Sequence, residues 1–331
     1  MLIPATRIAQ VTIAAALLGN TPLLAADPLP SWKETPLKQS LIEFVTKVTK
    51  EDSPDYVPPA ERIAAFDNDG TLCSEQPMYT QFIFGQDKVK EQAAAHPEWK
   101  EKQPFKAALE DDIASIGESE VKGLTAIVAG THVGRTTEEL QKSVNDWLAT
   151  AQHPTLKRPY TELVYQPMLE LLSYLRANEF KTYIVTGSAV EFLRAWAERV
   201  YGIPPERIIG SNVETAVVVK DGVARIEIAD GVAFANNKSG KALLIDRVIG
   251  RKPILVFGNS DGDLDMMRLA AGAKNHWAGI VHHTDGEREF AYDSESLFGR
   301  LKAGLTDAEK NGWHVVDMKN DWLTVFPPAK Q

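Results

Sequence analysis

Two aspartates, Asp67 and Asp69, stand two positions apart where the apolar run Ile63-Ala64-Ala65-Phe66 gives way to Asp67-Asn68-Asp69-Gly70-Thr71. Gly70 lets the chain turn sharply there. One carboxylate can then face a reacting centre as nucleophile while its neighbour handles a proton; the plain alternative is a turn closed by an Asx hydrogen bond. Two later loops also follow apolar runs. Thr186-Gly187-Ser188, ahead of an expected helix, offers hydroxyls and free amide N–H groups to an anion such as phosphate, or simply an N-cap. Gly258-Asn259-Ser260-Asp261-Gly262-Asp263, with Asp265 just beyond, gathers oxygen donors suited to a hard cation such as Mg2+. It is not an EF-hand, because positions 6 and 12 counted from Asn259 are Leu264 and Ala270. Gly240-Lys241 is not a P-loop either, since the earlier glycine and the following Ser or Thr are both missing.

For the three loops to meet, the runs before them must be neighbouring strands. Residues 63–66, 182–185, 254–257 and 279–281 read as short buried strands, and 167–175, 190–200 and 241–249, with a segment through Met267, as helices. Such alternation predicts an α/β fold, a parallel sheet covered by helices on both faces. Ligands of these sheets sit outside the carboxyl ends of the strands, where all three loops would converge. Between the first and second loops, residues 76–159 carry helical periodicity and few strand signals. Thr136-Thr137-Glu138-Glu139 fits a capping box opening a helix with Leu140, Val144, Trp147 and Leu148 on one side. Residues 213–229 alternate apolar and polar around Asp221-Gly222, a hairpin signal. Residues 27–60, with the amphipathic stretch 41–48, read as a lead-in wrapped on the core, and 313–326 as one more apolar strand.

The order and spacing of these motifs resemble the haloacid dehalogenase (HAD) superfamily, specifically its phosphoserine-phosphatase-like phosphatases with a helical cap. The resemblance spans roughly residues 60–285. The first motif, D-x-D-G-T, is complete at 67–71; Thr186 meets the second; the third, a lysine, has two candidates, Lys238 and Lys241, of which Lys241 is followed by Leu244, Ile245 and Val248 in the expected register. The fourth appears at 258–263, with Asn259 where the family usually has a metal-binding Asp. Asn keeps an oxygen ligand but loses a charge, so Mg2+ would bind more weakly unless Asp261 or Asp263 came closer. The resemblance implies a three-layer Rossmann-like parallel-sheet core from residues 27–75 and 160–331, with an inserted all-helical cap at 76–159. It also implies a mechanism. Asp67 attacks phosphorus, and Asp69 protonates the leaving oxygen and then activates water. Thr186, Gly187 and Lys241 bind the equatorial oxygens, and Mg2+ lies on Asp67, the Asp69 carbonyl and Asn259, supported by Asp263.

Other readings compete. Gly258-Asn259-Ser260-Asp261-Gly262 matches the G-x-S-x-G elbow of serine hydrolases, and Asp285 or Asp307 followed by His314 would complete the triad order; no oxyanion segment accompanies it, and the Asp67 loop is left without a role. A dehalogenase needs neither metal nor a second acid, so Asp69 favours phosphoryl transfer. A phosphate-binding protein with little turnover is the non-enzymatic alternative. Glu75 either faces the substrate where the cap begins or forms a surface hinge. His282 and His283 either reach the rim of the site or pack. Phe82, Phe84, Trp99 and Phe105 are read as cap core, and Cys73 as packing.

The chain has 331 residues, 36 Lys+Arg against 45 Asp+Glu and a net charge of -9. No clustered Lys and Arg are present to neutralise nucleic-acid phosphates, which argues against a nucleic-acid partner; the small phosphorylated substrate is what the resemblance implies. Residues 1–26 hold one charge, Arg7, an apolar stretch from 11 to 18 and Ala25-Ala26, the pattern of a secretory signal peptide. Cleavage would remove Arg7 and take the net charge from -9 to -10. The expectation is an exported protein, periplasmic or secreted, with no stable membrane insertion after processing and no internal disulfide from its one cysteine.

Overall fold

A computed structural model describes residues 27–329, with 118–120 as backbone only; the expected signal peptide lies outside the described residues. Helix α1 (Pro36–Thr49) starts on the Thr35 cap and buries Leu41, Val45 and Val48. Strand β1 (Ile63–Phe66) follows, buried at every position. Next come four helices: α2 (Thr80–Gln92), α3 (Phe105–Leu109), α4 (Ile113–Gly130) and α5 (Thr137–Leu148). Thr136 accepts from the Glu139 amide while the Glu139 carboxylate accepts from the Thr136 amide, so the expected capping box forms.

The chain then continues through α6 (Gln166–Ala177), β2 (Lys181–Ala189), α7 (Val190–Arg194), α8 (Ala197–Tyr201), β3 (Ile208–Lys220), β4 (Val223–Phe234) and α9 (Ser239–Ile249). It ends with β5 (Leu255–Gly258), α10 (Leu264–Ala271), β6 (Trp277–Thr284), β7 (Ala291–Tyr292), α11 (Ala303–Asn311), β8 (His314–Asp317) and α12 (Met318–Asp321). The single helix expected over 190–200 is broken at Trp196, whose backbone leaves the helical region at φ -141°. Its indole is buried and packs edge-on against Phe192 and tilted against Tyr201.

The sheet runs β4-β3-β2-β1-β5-β6-β7, with β8 also beside β6. β1 lies parallel between β2 and β5, so the loops after all three strands leave the sheet at one end. Alternate residues of each strand enter two cores. Ala64, Phe66, Ile184 and Phe257 pack with Leu41 and Met168 on one face; Ala65, Val185 and Val256 pack with Ile245 and Met267 on the other. This is the expected three-layer arrangement. The hairpin turns on Asp221 and Gly222, with φ of 53° and 76°, the doubly positive pair of a type I′ turn. Its distal half, residues 214–226, is exposed, so the alternation seen there does not bury one face.

The helices between β1 and β2 divide their burial. Phe82, Trp99, Phe105 and Ile127 form a core of their own, as their aromatic content suggests, whereas Phe84, Leu140, Val144 and Leu148 join the core of the sheet.

Candidate active site

The first loop is fixed before any side chain acts. The Asp67 amide donates to the Phe257 carbonyl at 2.9 Å, tying the end of β1 to β5. Gly70 adopts φ 78°, and a Cβ there would stand 2.0 Å from Asn259 Nδ2 and 2.4 Å from Glu75 Oε1. Only glycine fits both that conformation and that approach.

Around this turn the side chains converge on a cavity of about 460 Å3. Lys241, in the first turn of α9, places Nζ 2.5 Å from Asp67 Oδ1 and 2.5 Å from Asp263 Oδ1. The two candidate lysines are placed differently: Lys241 is buried between carboxylates, and Lys238 lies exposed on the cavity wall. Ser188 donates its hydroxyl to Asp69 Oδ2 at 2.9 Å. The hydroxyl-bearing neighbour of Thr186 is therefore the one at the site, a role the sequence reading did not assign. The helical insertion closes the cavity with Ile116, Val121 and Leu124 of α4, beside Leu297 and Phe298.

Several expected residues sit elsewhere. β2 does not stop at Thr186 but runs to Ala189, shifting register against β3, and α7 has only five residues. Thr186 Oγ1 accepts the Ser188 amide at 3.0 Å, and the cavity wall is made by Gly187 and Ser188 instead. The oxygen-rich third loop also disperses. Asp261 accepts the amides of Lys302, Ala303 and Gly304 at the start of α11, and Asp265 pairs with Arg268. Asp263 is fully buried, its Oδ2 accepting the amides of Asn259 and Ser260, so it organises the loop and holds Lys241. Asn259 is turned by two neighbours: its Oδ1 accepts from Thr71 Oγ1 at 3.0 Å and its Nδ2 donates to Glu75 Oε1 at 2.6 Å.

Glu75 is no surface hinge. It is buried, lines the cavity and accepts a second hydrogen bond from Tyr292 at 2.7 Å. His283 packs beneath the first loop, its Nε2 2.8 Å from the Gly70 carbonyl and its Nδ1 3.2 Å from Glu289. The serine-hydrolase triad is not assembled. Ser260 bonds Asp263 and the Gly262 amide, Asp285 pairs with Arg288, Asp307 with Arg268, and His314 stacks on Trp277.

Electrostatically the site holds four buried carboxylates, Asp67, Asp69, Glu75 and Asp263, against the one buried ammonium of Lys241. Burial and the Asp263 charge push Asp67 up to about 8, although Lys241 pulls it down. Burial also raises Asp69, with the Ser188 hydroxyl opposing it, and raises Glu75 well above the carboxylate range. Burial alone would lower Lys241, but Asp263 and Asp67 outweigh it and keep the ammonium charged. A buried surplus of negative charge with oxygen donors only is the chemistry that a hard divalent cation completes. Asp67, Asp69 and Glu75 line the cavity with donors of that kind, whereas Asn259, expected among them, does not line it and has its oxygen engaged by Thr71. Among the described residues no trio of His, Cys, Asp or Glu forms a ready cage.

The sequence model of the haloacid dehalogenase-like hydrolases matches residues 64–268, from β1 into α10. A search of the curated proteins finds no match. Among solved structures, a protein with unknown function from Bordetella pertussis Tohama I is similar at 14% identity and a TM-score of 0.51, over 78% of this chain and 99% of that one. A conserved, functionally unknown protein from Anaerococcus prevotii DSM 20548 is similar at 15% identity and a TM-score of 0.50, over 85% and 91%. At these identities the likeness extends to the fold.

Proposed function

The chain belongs to the haloacid dehalogenase-like hydrolases, and from that premise we propose that it is a Mg2+-dependent phosphomonoesterase working through an aspartyl phosphate on Asp67. One observation carries the reading. A nucleophile held by an ammonium, Asp67 with Lys241, shares a cavity with a second carboxyl steered by a hydroxyl, Asp69 with Ser188.

Asp67 attacks phosphorus as the bond to the leaving oxygen breaks, and Asp69 gives that oxygen its proton. The buried environment that raises Asp69 keeps a proton available for this step. Asp69, now a carboxylate, takes a proton from water as the water attacks phosphorus. The bond to Asp67 breaks, inorganic phosphate leaves, and both side chains return to their starting states. Lys241 would bind the phosphoryl oxygens, together with Gly187 and Ser188; all three line the same cavity. Asp67 and the Asp69 carbonyl, with Asp263 behind the loop, would hold Mg2+, whose charge would screen the nucleophile from the phosphoryl group.

The test is phosphate release from a panel of phosphoserine, sugar phosphates, nucleotides, phospholipid headgroup esters and pyrophosphate, with Mg2+ and with chelator. Mg2+-dependent turnover of at least one ester is expected. Saturable binding of phosphate analogues with no release would replace the enzyme with a phosphate-binding protein. Export rests on the pattern of residues 1–26 and belongs to the same proposal; cell fractionation that finds the protein only in the cytoplasm would remove it. No helix of the described residues is long and apolar enough to cross a membrane.

A further inference from the structure

We propose that Glu75 supplies the carboxylate charge of the cation site that the neutral Asn259 does not, the two side chains acting as a pair. The inference rests on the Mg2+ reading above and adds a residue to it.

Three observations lead there. Glu75 lines the cavity together with Asp67 and Asp69, at 2% exposure. Its Oε1 accepts from Asn259 Nδ2 and from the Tyr292 hydroxyl, both neutral donors, and among the described residues it makes no ion pair with Lys, Arg or His. The other buried carboxylates of the region have partners of their own: Asp67 and Asp263 share Lys241, Glu289 faces His283, and Asp69 accepts from the Ser188 hydroxyl. A buried carboxylate with neutral partners only is expensive unless a positive charge joins it. The position is also built rather than incidental. A Cβ on Gly299 would stand 1.7 Å from Glu75 Oε1, and one on Gly70 2.4 Å away, both glycines having positive φ. These two glycines leave open the space that the carboxylate fills.

Asn259 is oriented to match. Its oxygen is engaged by Thr71, its nitrogen faces Glu75, and it does not line the cavity. Of the pair, the residue that presents charge to the cavity is Glu75.

The experiment measures Mn2+ binding to the full chain by electron paramagnetic resonance, with Mg2+ competition, in wild type, Glu75→Gln and the double variant Asn259→Asp/Glu75→Gln. Circular dichroism and melting check the fold. Glu75→Gln should weaken Mn2+ binding tenfold or more, and the double variant, which moves the charge across the pair, should return it to within about threefold of wild type. A purely structural role for Glu75 would not be rescued in this way. Unchanged Mn2+ affinity in Glu75→Gln overturns the proposal, even if activity falls, and so does a loss that the double variant does not repair. If Glu75→Gln alone fails to fold, the double variant decides by the same criterion. A wild-type chain that binds no Mn2+ overturns the Mg2+ reading and this inference together, whereas wild-type binding that Glu75→Gln leaves intact overturns the inference alone.

Discussion

Lys241 Nζ stands 2.5 Å from Asp67 Oδ1, joining the start of α9 to the end of β1 across 174 positions of sequence. The same ammonium reaches Asp263, and none of the three residues is more than 6% exposed. Removing it leaves two carboxylates buried without their cation. Lys241→Met should cost about 3–5 kcal/mol in urea denaturation, and Asp263→Asn in that background should recover part of the stability without recovering activity. A loss below about 1 kcal/mol in Lys241→Met would mean that the buried pairs are not held as described.

Among the described residues the Ser188 hydroxyl has one side-chain partner, Asp69. Ser188→Ala should lower kcat by about tenfold, the worth of one hydrogen bond to a charged group. KM and the melting temperature should change little. A rise in KM at constant kcat would place Ser188 on the substrate and not on Asp69.

His132 gives the fold a dependence on acid. Burial lowers its pKa from 6.5 to about 4, so the folded chain takes up its proton later than the unfolded chain does. Between pH 6.5 and about 4 the unfolded state therefore binds more protons, and stability falls as pH falls through that window, by at most about 3 kcal/mol. Above pH 6.5 the contribution is flat. His132→Gln should flatten this limb in denaturant titrations at pH 4.5, 5.5 and 7; an unchanged slope would show that other groups set it.

Cys73 lies directly after Leu72 in the first loop, where a nucleophilic thiol would be tempting, but it is 4% exposed and burial pushes its thiol well above the ordinary range. A thiol reagent at pH 8 should leave the native chain unlabelled and find one equivalent after denaturation. Rapid native labelling would contradict the packing role.

What could be read from sequence was local. The strand that ends at Asp67, the capping box at Thr136 and the Asp221-Gly222 turn each announce themselves within a few residues. What could not be read was partner choice. Asp261, Asp263 and Asp265 look alike in the chain, yet one caps α11, one holds Lys241 and one pairs with Arg268. Glu75 gave no sign of burial, because Tyr292 and Gly299, which crowd it, lie more than 200 residues away. Thr186 was expected to end its strand, but β2 continues to Ala189 by shifting register against β3, and this moves Ser188 to the site. The insertion was legible as helices, while the packing of Leu140, Val144 and Leu148 into the main core depends on tertiary contacts.

The most direct measurement is Mg2+-dependent phosphate release by Asp67→Asn on whichever ester the wild type turns over best. The substitution keeps the side chain's size and its contact with Lys241, so the melting temperature should stay within a few degrees. Release should fall by at least about a thousandfold, since the nucleophile is gone. Turnover within tenfold of wild type by the folded variant would contradict Asp67 as the nucleophile.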